Sequence, residues 1–318
     1  MKSNLVKIIV STFIIATLFS CENEDTIVET PEEDIKNYST INYTELSQAP
    51  SYKQSTILCK YNDNLYRFGT TEPTQVFNLT SNSWEIEPLP DSSCSRWDGF
   101  ALNMNNTIYI VATSTNGNSY DILKYNPLTS GYEHTGAELP KYFDYPAFCN
   151  YNNKIVFLSV ITDSVFSYDV ENNNLTKIAE NPFYIESGFD MLYFVSGGYQ
   201  NYFYVFGGHV GRSIKNKFYR LNLNNNEWEQ LNIPQSIENK NYFGGSTNEK
   251  MIMFSDPTST YLYSFNSNEW SKDLAEVPIY EKDVNGDRAW QEWSFHTDGS
   301  DLYGSEVAFR KIWKMSVE

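Results

Sequence analysis

The sequence is short of basic residues. Lys and Arg number 23 against 40 Asp and Glu, a formal charge of −17. A surface this acidic repels a phosphate backbone, which excludes non-specific nucleic-acid binding. Histidine is scarcer still, at 3, too few for most multi-histidine metal chemistry. The 4 cysteines include no Cys-x-x-Cys pair, so neither a zinc ribbon nor a dithiol redox motif is indicated. GxSxG, GxxxxGK(S/T), HExxH and sialidase-type Asp boxes are absent, and Thr297-Asp298-Gly299-Ser300 reads only as a turn. Aromatics, by contrast, are abundant: 24 Tyr, 20 Phe and 7 Trp in a chain that is 41% hydrophobic. That composition excludes disorder, predicts a buried core and favours β-structure. A length of 318 residues would suggest about two domains, but a large all-β ring can use it as one.

Residues 1–20 read as a secretory signal. Lys2 and Lys7 form a positive start, and Ile8 to Phe19 is apolar but too short for a comfortable membrane span. The stretch ends in Leu18-Phe19-Ser20-Cys21, which resembles a bacterial lipobox. That resemblance implies cleavage before Cys21 and a lipid on its sulfur. An ordinary signal peptide with a chance cysteine is the alternative. Removing residues 1–20, which hold two bases and no acid, leaves −19. Residues 21–39 form an acidic segment with seven acids and no base between Glu22 and Asp34. It is expected to be a solvated tether, and it resembles the surface-export signal of Bacteroidota lipoproteins. The expected location is the outer membrane, periplasmic or surface-exposed. Of the remaining cysteines, Cys59 and Cys149 fall in equivalent apolar segments and are expected to be buried.

The rest of the chain repeats itself. A polar turn followed by an apolar-aromatic strand recurs with centres at Tyr66, Tyr109, Val156, Tyr204, Ile252 and Tyr303. Each of the first five is followed by a strand leading into a turn and then by an apolar or aromatic residue: Asn78 and Trp84, Asn126 and Tyr132, Asp169 and Leu175, Asn222 and Trp228, Asn266 and Trp270. The Asn or Asp side chain can bond nearby backbone amides as the chain turns. The next residue opens another strand and fills the gap between sheets. A proline closes each repeat, at Pro90, Pro140, Pro182, Pro234 and Pro278.

Together these elements resemble the Kelch repeat. The fourth repeat matches best, with Val205-Phe206-Gly207-Gly208 ahead of Asn222 and Trp228. The resemblance implies an all-β, six-bladed β-propeller over residues 40–318, of the kind that forms the central domain of galactose oxidase. The sixth repeat stops after Lys311-Ile312-Trp313-Lys314-Met315, one strand short. Tyr43-Thr44-Glu45-Leu46 has the form of a fourth strand with no repeat before it. Residues near 41 to 47 are therefore expected to complete the last blade and remove its exposed edge.

In such a ring the d–a and b–c connections share one face. The d–a connections supply Arg96, Trp97, Asp98, Asp144, Tyr145, Phe189, Asp190, Tyr242, Arg288, Trp290, Glu292 and Trp293. The b–c connections supply His209, Arg212, Asp256, Glu306 and Arg310. Tryptophan faces with flanking Arg and Asp suit a polar, ring-shaped ligand such as a sugar. The other reading is that the Asp residues cap turns and the tryptophans pack between blades. His134 is expected in an outer strand and His296 in an inner one, so no histidine metal site is expected. Galactose-oxidase-like copper chemistry needs two His, two Tyr and a Cys–Tyr crosslink, which the sequence does not offer. No cofactor is expected. Two functions follow as expectations. One is a non-catalytic envelope module binding a glycan or protein partner, attached to the membrane through Cys21. The other is a carbohydrate-active enzyme, since exported Kelch propellers include sialic-acid mutarotases. That chemistry would need a carboxylate and an Arg near the sugar carboxylate, for which Arg96, Arg212, Arg288, Glu292 and Glu306 are candidates.

Overall fold

The architecture is that of a computed structural model. It describes residue 35 and residues 37–318, apart from 52–55, 70–72, 89–95, 115–120, 140–145, 160–161, 185–193, 211–212, 238–241, 257–258, 275–276, 278–292 and 307–309. Side chains are likewise outside the description at 96–98, 113–114, 208–210, 213–215, 256, 293–294, 298 and 306.

Two strands come first, β1 (Asn37–Tyr38) and β2 (Ile41–Glu45). Four antiparallel sheets of four strands follow in simple sequence order. Blade I is β3 (Ile57–Tyr61), β4 (Asn64–Phe68), β5 (Gln75–Asn78) and β6 (Ser83–Ile86). Blade II is β7 (Arg96–Met104), β8 (Thr107–Ser114), β9 (Asp121–Asn126) and β10 (Gly131–Glu138). Blade III is β11 (Ala147–Tyr151), β12 (Lys154–Leu158), β13 (Ser164–Asp169) and β14 (Asn174–Glu180). Blade IV is β15 (Phe194–Tyr199), β16 (Tyr202–Val210), β17 (Ser213–Asn222) and β18 (Glu227–Gln230). Blade V is β19 (Phe243–Ser246), β20 (Lys250–Asp256), β21 (Ser259–Ser264) and β22 (Glu269–Asp273). Blade VI has only β23 (Trp293–Asp298), β24 (Asp301–Glu306) and β25 (Ile312–Val317) from the end of the chain. Its fourth strand is β2, antiparallel to β25 with Ile41 opposite Val317 and Glu45 opposite Trp313. The ring is thus closed as the sequence pattern predicts.

The repeat has a plain physical basis. The six repeat centres are each the third residue of their blade's second strand, and all six are buried. Each blade is a sheet with two apolar faces, so buried residues on both faces pack against the neighbouring blades. Trp84, Tyr132, Leu175, Trp228 and Trp270 are each the second residue of a fourth strand. Three of these tryptophans also tie blades together. Trp84 Nε1 donates to the Ser47 carbonyl at 3.1 Å, Trp228 Nε1 to Glu180 at 2.7 Å and Trp270 Nε1 to Asn232 at 3.3 Å. Each acceptor lies at or just past the outer strand of the preceding blade.

The inner strands approach closely where glycine removes the side chain. A Cβ on Gly197 would lie 2.5 Å from Ser246 Cβ in blade V, and one on Gly245 would lie 2.7 Å from Leu302 Cδ1 in blade VI. Between blades II and III, Phe100 and Phe148 fill the seam instead, stacked 4.0 Å apart at 3°.

Two features lie beyond the sequence pattern. Blade V has a fifth strand, because β1 pairs in parallel with β22. Ile35 is buried with residues of blades IV and V. The packed ring therefore begins a few residues before position 40. The turn of blade V also differs from expectation. It matches the others when Ser264, not Asn266, occupies the anchoring position. Ser264 precedes Trp270 by the same interval as Asn222 precedes Trp228.

Candidate functional site

The two faces of the ring differ. One carries the a–b and c–d turns, and several turn side chains bond their own backbone. Asn78 Oδ1 accepts the amides of Thr80 and Ser81 at 3.1 and 2.7 Å. Asn126 Oδ1 accepts that of Leu128 at 2.9 Å, and Asn222 Oδ1 that of Asn224 at 3.0 Å. Asp169 Oδ1 accepts the Glu171 and Asn172 amides, both at 3.0 Å. Those amides and the Asn172 side chain hold the exposed Asp169 carboxyl below the usual range. Asn62, Asn82, Asn105, Asn152, Asn173, Asn226 and Asn268 adopt left-handed backbone conformations that asparagine tolerates well. Tyr151 Oη donates to Asn224 at 2.8 Å and Tyr199 Oη to Asn266, each across a seam between blades. Asn266 is therefore a seam partner for blade IV, not the anchor of its own turn.

The opposite face carries the d–a and b–c connections, whose described residues include 87–88, 181–184 and 231–237. Among the described residues, five register shifts in the ladders occur, and all fall at this end of the strands. They lie between Trp97 and Gly99 in β7, His134 and Glu138 in β10, Val165 and Phe166 in β13, Gly207 and His209 in β16, and Phe254 and Asp256 in β20. Bulges re-aim side chains and end pairing, and they concentrate at barrel rims and beside active sites.

Several candidate residues take strand positions on this rim. Arg96 and Trp97 open β7 opposite Ser114 and Thr113, and Asp98 is the residue skipped at the shift. His209 pairs with Ile214 near the tip of the blade IV hairpin, and Glu306 ends β24 opposite Trp293. Asp144, Asp190, Arg212, Arg288, Trp290 and Glu292 lie outside the described residues. Tyr242 belongs to the core: it is buried, and its Oη donates to the Ile237 carbonyl at 3.0 Å. Arg310 is exposed, and its Nη1 donates to the Pro50 carbonyl at 3.3 Å. It also accepts the Ala49 amide on its own carbonyl at 2.8 Å, closing the seam beside β25.

Sequence reasoning missed two polar groups near this rim. Arg67 is fully buried at the seam of blades VI and I. It donates to Gln75 Oε1 at 2.8 Å, the Ser51 carbonyl at 3.0 Å and Ser305 Oγ at 3.2 Å. Asp121, buried at the start of β9, bonds His134 Nδ1 at 2.7 Å across the bulge of β10. An arginine inside an apolar strand and an Asp–His pair 13 residues apart carry no motif. His134 stands in an outer strand and His296 in an inner one. Among the described residues no three His, Cys, Asp or Glu side chains converge, and no helix is long and apolar enough to cross a membrane. Cys59 and Cys149 are buried, and burial pushes both thiols up.

The comparisons agree with this architecture. The Kelch motif matches residues 192–235, which contain all of blade IV. No curated protein sequence matches the chain. A solved structure described as "Structure of YjhT" is similar, with a TM-score of 0.57 at 12% identity over 86% of this chain and 96% of that one. At that identity the likeness concerns the fold. The chain is a six-bladed β-propeller. Its fourth blade carries a Kelch motif.

Proposed function

We propose that this propeller is a non-catalytic binding module held at the cell envelope through lipid on Cys21. Its ligand, a glycan or a protein, would sit on the face of the d–a and b–c connections. The asymmetry of the two faces carries this reading. On the turn face Asn78, Asn126, Asp169 and Asn222 bond their own backbone and Tyr151 and Tyr199 tie seams, whereas the ladder bulges among the described residues lie on the opposite rim. Trp97, Arg96 and Asp98 head the innermost strand of blade II there. An indole and a guanidinium in such a position would offer an apolar platform and a fork for hydroxyls or a carboxylate.

The test is a glycan array and pull-downs from envelope extracts with the mature chain, repeated with Trp97→Ala, Arg96→Ala and Asp98→Asn. A ligand lost in these variants at unchanged melting temperature supports the reading. Failure to capture any ligand, or capture indifferent to all three changes, sinks it. Faster exchange of sialic-acid anomers by NMR in the presence of the protein would replace it with the enzymatic reading. Cys21→Ala should abolish incorporation of labelled fatty acid and release the protein from membranes.

A further inference from the structure

The first segment of the ring makes contacts that closing the last blade does not require. β2 alone completes blade VI, yet the residues before it are attached to blades IV and V. Ile35 is 2% exposed, in the apolar cluster that holds Ile237, Tyr242 and Tyr261. Asn37 and Tyr38 then lie opposite Ser271 and Lys272. The Ser39 amide donates to the Lys272 carbonyl at 3.2 Å, and the Ser39 and Ser271 hydroxyls share a bond of 2.8 Å. The Ile41 amide donates to the buried carboxylate of Asp273 at 2.9 Å. Past that point the chain runs along β25, and Tyr43 still reaches back to Thr260 Oγ1 at 3.1 Å.

A two-residue parallel pairing is weak by itself. Here Asn37 and Tyr38 are exposed, and the holding contacts stand at the two ends. Ile35 is buried at one end, and the Asp273–Ile41 bond is buried at the other. A short exposed span between two buried anchors has the form of a strap.

We infer that residues 35–41 are a strap that latches blade V to blade VI and fixes the start of the ring at the seam of blades IV and V. The strap and the closing strand overlap only at Thr40, whose carbonyl accepts the Glu318 amide at 3.0 Å, and at Ile41, opposite Val317; the pairs of Asn42 to Glu45 with β25 do not involve the strap. Lifting it would bare the outer edge of β22, which is otherwise covered by β1. Where the chain joins the ring is thereby set by Ile35, one blade away from the blade that β2 completes.

Hydrogen exchange on the full-length chain tests this, using Ser39→Pro, which removes the amide donated to Lys272, and Ile35→Ser. The milder Ser39→Ala removes only the hydroxyl pair. The expected result is exchange roughly tenfold faster in residues 242–246 and 269–273, with residues 57–68 and 312–317 unchanged. Unchanged exchange in residues 269–273 overturns the inference, as does an equal rise in every blade. Failure of Ser39→Pro to fold while Ser39→Ala behaves as wild type also overturns it, because the strap would then be part of closure itself.

Discussion

Trp228 donates its indole N–H to the main-chain carbonyl of Glu180, 2.7 Å away and one blade earlier in the ring. The same side chain meets Phe183, Phe203 and Tyr219. One residue thus supplies a polar tie and an apolar wedge across the same seam, and substitutions can separate the two. Trp228→Phe keeps most of the wedge and should cost about 1 kcal/mol, the net worth of one hydrogen bond. Trp228→Ala should cost roughly 3 kcal/mol, the low end for truncating an aromatic, because the ring is only half-buried. Urea unfolding of the two variants checks the ratio; equal losses would mean that the hydrogen bond carries the seam.

The glycines of the strands should rank by what a Cβ would meet. At Gly244 it would lie 2.0 Å from the Ile252 carbonyl oxygen, which is backbone and cannot step aside. At Gly136, where φ is +73°, nothing lies within 4 Å. Gly136→Ala should therefore cost about 1–2 kcal/mol of backbone strain alone. Gly244→Ala should prevent a stable ring, seen as loss of soluble expression or of a cooperative melt.

The turn anchors predict a different pattern. Asn222→Ala removes an acceptor for the Asn224 amide and for Asn201 Nδ2, at 3.0 and 3.1 Å, and should cost roughly 1–2 kcal/mol. Asn266→Ala leaves its own turn intact and releases only Tyr199. Its signature should be faster exchange at the seam of blades IV and V with little change in the turn at 265–268. Faster exchange confined to that turn would return Asn266 to the anchoring role that the sequence suggested.

Alkali should unfold this ring early. Burial raises the phenol of Tyr168 to about 12, and it is also the largest cause of the upward shifts at Tyr43, Tyr66, Tyr109, Tyr125, Tyr204 and Tyr263. At Tyr125 the bond to Glu87 pushes the same way. These groups stay neutral in the folded chain but ionise near pH 10 when unfolded, and the buried thiols of Cys59 and Cys149 behave alike from near pH 9. Their contribution to stability is complete below those values and falls as pH rises, because the unfolded state then loses protons that the folded state keeps. The urea midpoint should drop progressively between about pH 9 and pH 12, with the tyrosinate absorbance of these seven phenols appearing together with unfolding. Tyrosinate absorbance from these seven phenols before the loss of structure would count against this account.

The sequence shows the ring because a repeat multiplies a weak signal. One apolar pentad says little, but six of them at matched offsets, each followed by a turn residue and an aromatic, leave little choice of fold. The closing strand is legible for the same reason, since Tyr43-Thr44-Glu45-Leu46 has the form of the fourth strand seen in other blades. β1 is not legible, because two exposed residues have no periodicity and their pairing is decided by anchors on either side. The misplaced anchor in blade V has a chemical cause. Ser264 holds the position that Asn and Asp hold elsewhere, and Asn266 two residues on is the more conspicuous letter. Arg67 was missed because a buried cation inside Asn64–Phe68 looks like an interruption of the strand. The candidate face was legible only as a list of polar and aromatic letters on shared connections. Topology assigns them to one rim, through Arg96, His209 and Glu306, while the orientation of their side chains depends on bulges that no repeat encodes.

The pairing of Ile41 with Val317 joins positions near opposite ends of the chain. Such a contact, joining residues at nearly the full span of the ring, carries a large loop-closure cost and forms late. During synthesis, residues 41–45 have no edge to join until residues 312–317 have been made. A product truncated before β25 leaves both an orphan strand and an open blade, two exposed edges that invite aggregation or degradation. The closing pair therefore works as a check on synthesis, covering the edges of β2 and β25 only once residues 312–317 have been made.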